Sequence, residues 1–224
     1  MTAPPPYPRL AHLVAGRGTG DDLVLPSDEV TALLSVPVWV EEKLDGANVV
    51  VWLEGRRVEC ALRAGPGAMD RAGQLGPLRA WLAHHDEAVR CLLADGAAVY
   101  AEWLLVTHAV ACDRLPAYLV ALDLWWPDRG FLAVDEHNRR CAEVGLVTPP
   151  EVWRGVPGRV DAVERLLGNS AWGPEPMEGL VVRSLDAPPK RTKIVRAGFD
   201  RLAEGEWRRG RPRNRLADQE ASWR

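Results

Sequence analysis

No run of apolar residues in this chain approaches the length needed to cross a bilayer. The N-terminus, Met1 to Pro8, is rich in proline and lacks the apolar core of an export signal. Both absences point to a soluble, unexported, cytoplasmic protein. Cysteine is sparse: Cys60, Cys91, Cys112 and Cys141 are widely spaced and form no Cys-x-x-Cys pair. That spacing argues against a structural zinc site and reads as reduced thiols, mostly in the core. His84 and His85 have no cysteine or carboxylate at ligand spacing and read as surface residues. Gly16-Arg17-Gly18-Thr19-Gly20 lacks both the preceding strand and the following lysine of a Walker-type phosphate loop.

What the 224 residues do contain is enough to bury a full-sized core, as one large domain or two small ones. Charge is uneven. From Lys190 to Arg224 there are eleven Lys and Arg against five Asp and Glu, while the chain as a whole carries −3. A basic end of this kind suits a polyanion and equally suits a solvated tail.

Segments dense in valine and tryptophan read as strands: Val36 to Val40, Val49 to Leu53, Arg57 to Arg63, Ala97 to Leu105, Tyr118 to Trp125, Met177 to Ser184 and Thr192 to Val195. A short strand is also expected between Asp135–Val144 and Val160–Leu167, which read as helices. Glu54-Gly55-Arg56 suits a hairpin. Pro77 to Ala94 has helical spacing ended by Gly96, and Ser27 is placed to cap a helix through Leu34, with Asp28 and Glu29 in its first turn. The remainder of residues 1–35 reads as an irregular segment packed on a domain covering 1–199. Residues 200–224 read as a basic tail, too short for a further OB-type domain.

Between the first two strands stands Glu41-Glu42-Lys43-Leu44-Asp45-Gly46-Ala47-Asn48. Lys-x-Asp-Gly on a tight turn between buried strands would hold Lys43 among apolar neighbours, conditions that favour a nucleophilic amine. A hairpin turn with a solvated lysine explains the triplet as well. Glu102 and Asp123 each stand alone in an apolar strand; a buried carboxylate needs a cation or a ligand cleft, so either reading fits. Lys43, Arg63, Glu102, Glu178 and Lys193 thus fall on or at the ends of separate strands. Attack by an amine on a nucleotide α-phosphate needs a positioned lysine, cations for the phosphoryl oxygens, and acids for a metal or the ribose.

These residues carry a resemblance. Glu42-Lys43-Leu44-Asp45-Gly46 is similar to motif I of the covalent nucleotidyltransferases, the superfamily of polynucleotide ligases and mRNA capping enzymes. Leu62-Arg63 resembles motif Ia, Tyr100-Ala101-Glu102-Trp103 motif III, and Leu122-Asp123-Leu124 motif IIIa. Glu178-Gly179-Leu180-Val181-Val182-Arg183 resembles motif IV, and Thr192-Lys193-Ile194-Val195-Arg196 motif V. Asn48, five residues after the lysine, and His108, shortly after motif III, make the likeness closest to ATP-dependent RNA ligases.

The resemblance implies an α+β adenylation domain, with antiparallel sheets and flanking helices around a nucleotide cleft. It implies that Lys43 forms lysyl-AMP from ATP, and that Glu42 contacts the adenine amine while Arg63 and Glu102 hold the ribose. Glu178 would orient the lysine and, with Glu102, serve Mg²⁺ or Mn²⁺; Lys193 would stabilise the α-phosphate. Asp45, Asn48, Arg63, Arg191 and Arg196 would serve the RNA-bound steps, joining a 5′-phosphate to a 3′-hydroxyl. A separate end-healing kinase or phosphatase is a conceivable partner; a membrane is not. Two departures matter: Arg191 stands where motif V usually has a second lysine, and Leu119 and Leu122 stand where an aromatic residue commonly stacks on the base. A DNA ligase of the same superfamily, a guanylyltransferase and a catalytically silent nucleic-acid-binding module are the alternatives.

Overall fold

The computed structural model describes residues 4–15, 23–63, 73–199 and 211–218. The Gly16–Gly20 loop, most of Gly65–Gly76 and residues 200–210 and 219–224 of the basic tail lie outside them. The elements in chain order are β1 (Ala11–His12), α1 (Ser27–Leu34), β2 (Val38–Lys43), β3 (Ala47–Glu54), β4 (Arg57–Leu62), α2 (Leu75–His84), α3 (Asp86–Leu92) and β5 (Ala98–Trp103). They continue with β6 (Leu119–Trp126), β7 (Gly130–Phe131), α4 (Val134–Glu143), β8 (Glu151–Gly155), α5 (Val160–Glu164), β9 (Gly179–Ser184) and β10 (Arg191–Val195).

The strands form two five-stranded sheets, one ordered β1-β10-β9-β2-β8 and the other β4-β3-β5-β6-β7. All pairings are antiparallel except β1 with β10. Alternation along the strands sends one set of side chains outward to helices and the other inward to a shared cleft. On the outer face of the second sheet, Val49, Val51, Val99 and Ala101 pack against Leu78, Trp81, Leu92 and Cys141 of the helices. On the first, Val38, Val40, Leu180, Val182 and Ile194 pack against Leu33, Leu34 and Val163. The α+β expectation is met.

Several local expectations are corrected. Lys43 is not on a hairpin turn: it ends β2 in one sheet, and after Leu44-Asp45-Gly46 the chain enters β3 in the other. Ser27 does not cap α1; Pro26 holds the cap position without a side-chain bond, and the Ser27 carbonyl instead accepts from the Thr31 hydroxyl. The single helix expected over Pro77–Ala94 is two, broken at His85, whose ring stacks on Trp81 at 3.8 Å. The segment before residue 35 is less irregular than its prolines and glycines suggest, because β1 is an edge strand of the first sheet. Cys60, Cys112 and Cys141 are buried thiols; Cys91 is exposed. No described helix is long and apolar enough to cross a membrane.

Candidate active site

Strand register builds the site. Lys43 pairs with Gly179 across β2 and β9, which puts its Nζ 2.6 Å from an Oε of Glu178, the residue just before β9. Gly179 must be glycine, since a Cβ there would lie 2.1 Å from the Ile194 carbonyl oxygen. In the opposite sheet, Asn48 pairs with Glu102 across β3 and β5, and its Nδ2 donates to Glu102 at 3.3 Å. The Gly46 N–H donates to the other Glu102 oxygen at 3.0 Å. The loop after Lys43 runs so close to β5 that a Cβ on Gly46 would meet Leu104 at 2.7 Å and the Trp103 carbonyl at 2.8 Å. The carboxylate and the glycine therefore define one arrangement.

Asp45 is held by the segment after β5. Its Oδ2 accepts the backbone N–H groups of Ala109 and Val110 at 2.6 and 2.8 Å, and Oδ1 stands 3.9 Å from the His108 ring. Burial pushes His108 down to about 4, against the pull of Asp45, so its ring is neutral at pH 7 and the contact is not an ion pair there. Burial likewise pushes Glu102 up to about 7, with Lys43 and Asn48 opposing. Burial also raises Glu42, against hydrogen bonds from Ser170 and the Ala171 N–H, the latter at 2.8 Å.

These groups line a cavity of about 350 Å³ between the sheets, a size that suits a small-molecule ligand. Lys43, Glu178, Glu102, Asn48, Arg63, Lys193, Asp45 and Glu42 all reach it, as do the apolar Leu122 and Val181. Leu119 does not; it is in the core behind β6. Tyr100 pairs with Asp123 but Ala101 with Ala121, so Leu122 is an extra residue in β6.

The far end of the cavity is a buried ion network. Arg183 bonds Glu41 at 2.7 Å and Asp123 at 2.8 Å, and Arg191 and the Tyr7 hydroxyl both bond the other Asp123 oxygen. Burial works against the Asp123 charge, but the two guanidiniums outweigh it and hold its carboxyl below the usual range. The two lone strand acids thus divide: Asp123 is an internal ion pair, and Glu102 faces the cleft. Arg191, expected to serve RNA, is taken up by Asp123, with its side chain 7% exposed and 4.1 Å from the Phe131 ring centroid. Arg196 lies outside the cavity lining, stacked 5.2 Å over Phe199.

The sequence reading missed two contributors. The first is Tyr7-Pro8-Arg9-Leu10, which lines the cavity from before β1. The second is the described part of the basic tail. Asn214, buried, accepts from Thr107 Oγ1 and Cys112 N at 2.8 and 2.9 Å and donates to the Leu104 carbonyl at 2.8 Å. Arg211 donates to the Thr107 and His108 carbonyls at 3.1 Å, and Leu216 packs with Leu44 and Leu104. The only hint in the sequence was an asparagine and a leucine interrupting the arginines.

No group of three or more His, Cys, Asp or Glu among the described residues could hold a metal ion by itself. A magnesium-type ion ordinarily uses one or two carboxylates plus substrate phosphates, and Glu178 and Glu102 fit that smaller donor set.

In overall fold the chain is similar to an apo point mutant of Naegleria gruberi RNA ligase, with a TM-score of 0.59 at 13% identity over 83% of this chain and 54% of that one. Another form of that enzyme, with ATP and Mn, gives 0.58 at 15% identity over 76% and 52%. A putative ATP-dependent DNA ligase from Aquifex aeolicus gives 0.51 at 19% identity over 84% and 49%. At these identities the likeness is one of fold, and the chain spans about half the length of each. No curated protein matches it. The family signature is the firmer finding: residues 36–196, from just before β2 to just after β10, match the RNA ligase family as one continuous region. That region contains Lys43, Glu102, Glu178 and Lys193 in one cavity, and the chain belongs to the RNA ligase family.

Proposed function

We propose that this chain is an ATP-dependent RNA ligase that works through lysyl-AMP. The observation that carries the reading is the Lys43 amine 2.6 Å from Glu178 inside a cavity that also presents Lys193, Arg63 and Glu102. Lys43 must shed a proton before it can attack, and the Glu178 carboxylate is within reach to accept it. The Nζ–phosphorus bond to the α-phosphate then forms as the bond from that phosphorus to the α,β-bridging oxygen breaks, and pyrophosphate leaves. Lys193 offsets charge on the α-phosphoryl oxygens. Leu122 and Val181 take the two faces of the base, and Glu42, tied to Ala171, bounds its edge.

In the second step a 5′-phosphate oxygen of RNA takes the adenylyl group and frees Lys43. In the third, a 3′-hydroxyl attacks the 5′ phosphorus and AMP departs. Asn48, Arg63 and Asp45 serve these RNA-bound steps from the same cavity. Glu178 and Glu102 would hold a divalent ion, Mg²⁺ or Mn²⁺, with the nucleotide phosphates. When bound, such an ion neutralises developing phosphate charge. An enzyme that prepares 5′-phosphate and 3′-hydroxyl ends fits as a separate partner.

Purified protein incubated with Mg²⁺ and α-labelled ATP should acquire covalent AMP, and Lys43→Ala should acquire none. Absence of label on the parent, or label retained by the variant, would refute the reading. Nicked duplexes with RNA or DNA on the 3′-hydroxyl side then test the polymer: sealing only with DNA would make the chain a DNA ligase.

A further inference from the structure

Between β5 and β6 the chain runs through residues 104–118 with no helix or strand of its own, so its backbone groups need partners elsewhere. Several find the C-terminal segment 211–218, which lies beyond the family-matched region. The Thr107 N–H donates to the Pro212 carbonyl at 2.9 Å, and the Leu115 N–H to that of Arg215 at 2.9 Å. In return the Asn214 N–H donates to the Leu105 carbonyl at 3.0 Å and the Arg215 N–H to that of Cys112 at 2.9 Å. Arg211 adds its bonds to the Thr107 and His108 carbonyls.

The side chain of Asn214 closes this loop at its neck. Oδ1 accepts from the Thr107 hydroxyl at 2.8 Å and from the Cys112 N–H at 2.9 Å, so the two ends of the stretch 107–112 meet on a single atom. Nδ2 ties the same residue to the Leu104 carbonyl at 2.8 Å, and Asn214 is only 3% exposed. At the tip between those ends, the Ala109 and Val110 N–H groups both donate to Asp45 Oδ2, at 2.6 and 2.8 Å. The other Asp45 oxygen stands 3.9 Å from the His108 ring, beyond hydrogen-bonding range. The orientation of Asp45 at the cavity therefore rests on the loop tip, and the loop tip on Asn214.

We infer that Asn214 is a positioning residue for Asp45: the C-terminal segment holds the 107–112 loop in the shape that presents this carboxylate to the cavity for the RNA-bound steps. The inference rests on the reading of those steps as RNA joining. A residue that only stabilised the fold would lower every activity together, whereas a positioning residue lowers the step its carboxylate serves.

Two measurements on the full chain test it. Asn214→Ala, assayed at a temperature where circular dichroism shows it folded, should join pre-adenylated RNA about tenfold more slowly, while covalent labelling of Lys43 by ATP stays within about twofold. Thr107→Val removes one of the two bonds to Oδ1 with little change of shape. It should show the same selectivity more weakly, and it serves if Asn214→Ala fails to fold. Asp45→Asn should likewise slow joining more than labelling. Amide hydrogen exchange at Ala109 and Val110 should quicken about tenfold in Asn214→Ala, with the β2 and β9 amides unchanged. Equal slowing of labelling and joining, no slowing of joining, or unchanged exchange at Ala109 and Val110 overturns the inference. So does an Asp45→Asn variant that joins at the parental rate. A parent that takes no AMP from ATP, or joins no RNA, brings down the ligase reading instead, and exchange then still decides whether Asn214 holds the loop tip.

Discussion

Lys43 and Glu178 are 135 positions apart in sequence and 2.6 Å apart at their charged ends. Their contact follows from the pairing of Lys43 with Gly179 and not from any local motif. Glu178→Gln retains the shape and one acceptor oxygen but loses the basic carboxylate. It is expected to slow covalent adenylation of Lys43 by about 10²-fold, the lower end for removal of a proton-transfer group. A single-turnover rate at saturating ATP equal to that of the parent would remove Glu178 from the chemistry.

Glu102 should limit stability as well as serve the site. Its folded carboxyl is raised by burial to about 7, above its ordinary 4.5. The folded state is therefore favoured when Glu102 is protonated, and that advantage is lost as pH rises from about 4.5 through about 7. Glu102→Gln removes the buried charge. The Asn48 amide can turn so that Oδ1, which has no partner in the structure, accepts from the new amide. The variant is expected to be more stable than the parent at pH 8, by up to about 3 kcal/mol, and no more stable at pH 4. Denaturant midpoints at the two pH values measure this.

Gly46→Ala is expected to damage both fold and activity. The added methyl would meet Leu104 and a backbone carbonyl below 3 Å, an overpacking that costs about 1–3 kcal/mol. Relief requires the loop after Lys43 to lift from Glu102. Thermal unfolding should show the first effect and adduct formation the second; a variant with parental values for both would show that the loop can move freely.

Asn214 bridges three groups of the 104–112 segment, the segment whose N–H groups hold Asp45. Asn214→Ala strands buried donors and acceptors and should cost about 1–3 kcal/mol. Asn214→Asp keeps the acceptor but turns a donor into an acceptor facing the Leu104 carbonyl, so it should recover as pH falls and the carboxyl protonates. Unfolding midpoints of both variants from pH 8 to pH 4 provide the check.

Acid should weaken the fold through its buried imidazoles. Burial holds His108 and His137 down to about 4, below their ordinary 6.5. The unfolded chain then binds more protons below pH 6.5, and the stability these neutral rings contribute is lost as pH falls from there toward 4. His137→Gln should flatten that loss in a plot of unfolding midpoint against pH; an unchanged slope would assign it to other groups.

The longer strands, their approximate ends and five of the charged cavity residues were legible because apolar density and isolated charges are local signals, whereas the two-residue strands Ala11–His12 and Gly130–Phe131 were not. Even the demand that Glu102 and Asp123 each find a cation or a cleft could be read from the sequence. Which of the two took which could not, since Arg183 and Arg191 reach Asp123 only through pairing between distant segments. Arg191 reads as a substrate contact because its neighbours match motif V, and only its bond to Asp123 in the folded chain shows it in the ion network. The wall at Tyr7–Leu10 was hidden by composition: prolines and glycines read as irregular, yet two residues of strand and one buried tyrosine suffice to fix a segment.

The passage Leu44-Asp45-Gly46 has a mechanical consequence. Lys43 belongs to one sheet and Ala47 to the other, so any shear or opening of the cleft is transmitted through three residues directly to Lys43. The lysine is a gauge of how far apart the two halves stand. A cleft propped open by an oversized occupant would draw the amine off its carboxylate, whereas one that closes snugly on its ligand keeps the pair at bonding distance.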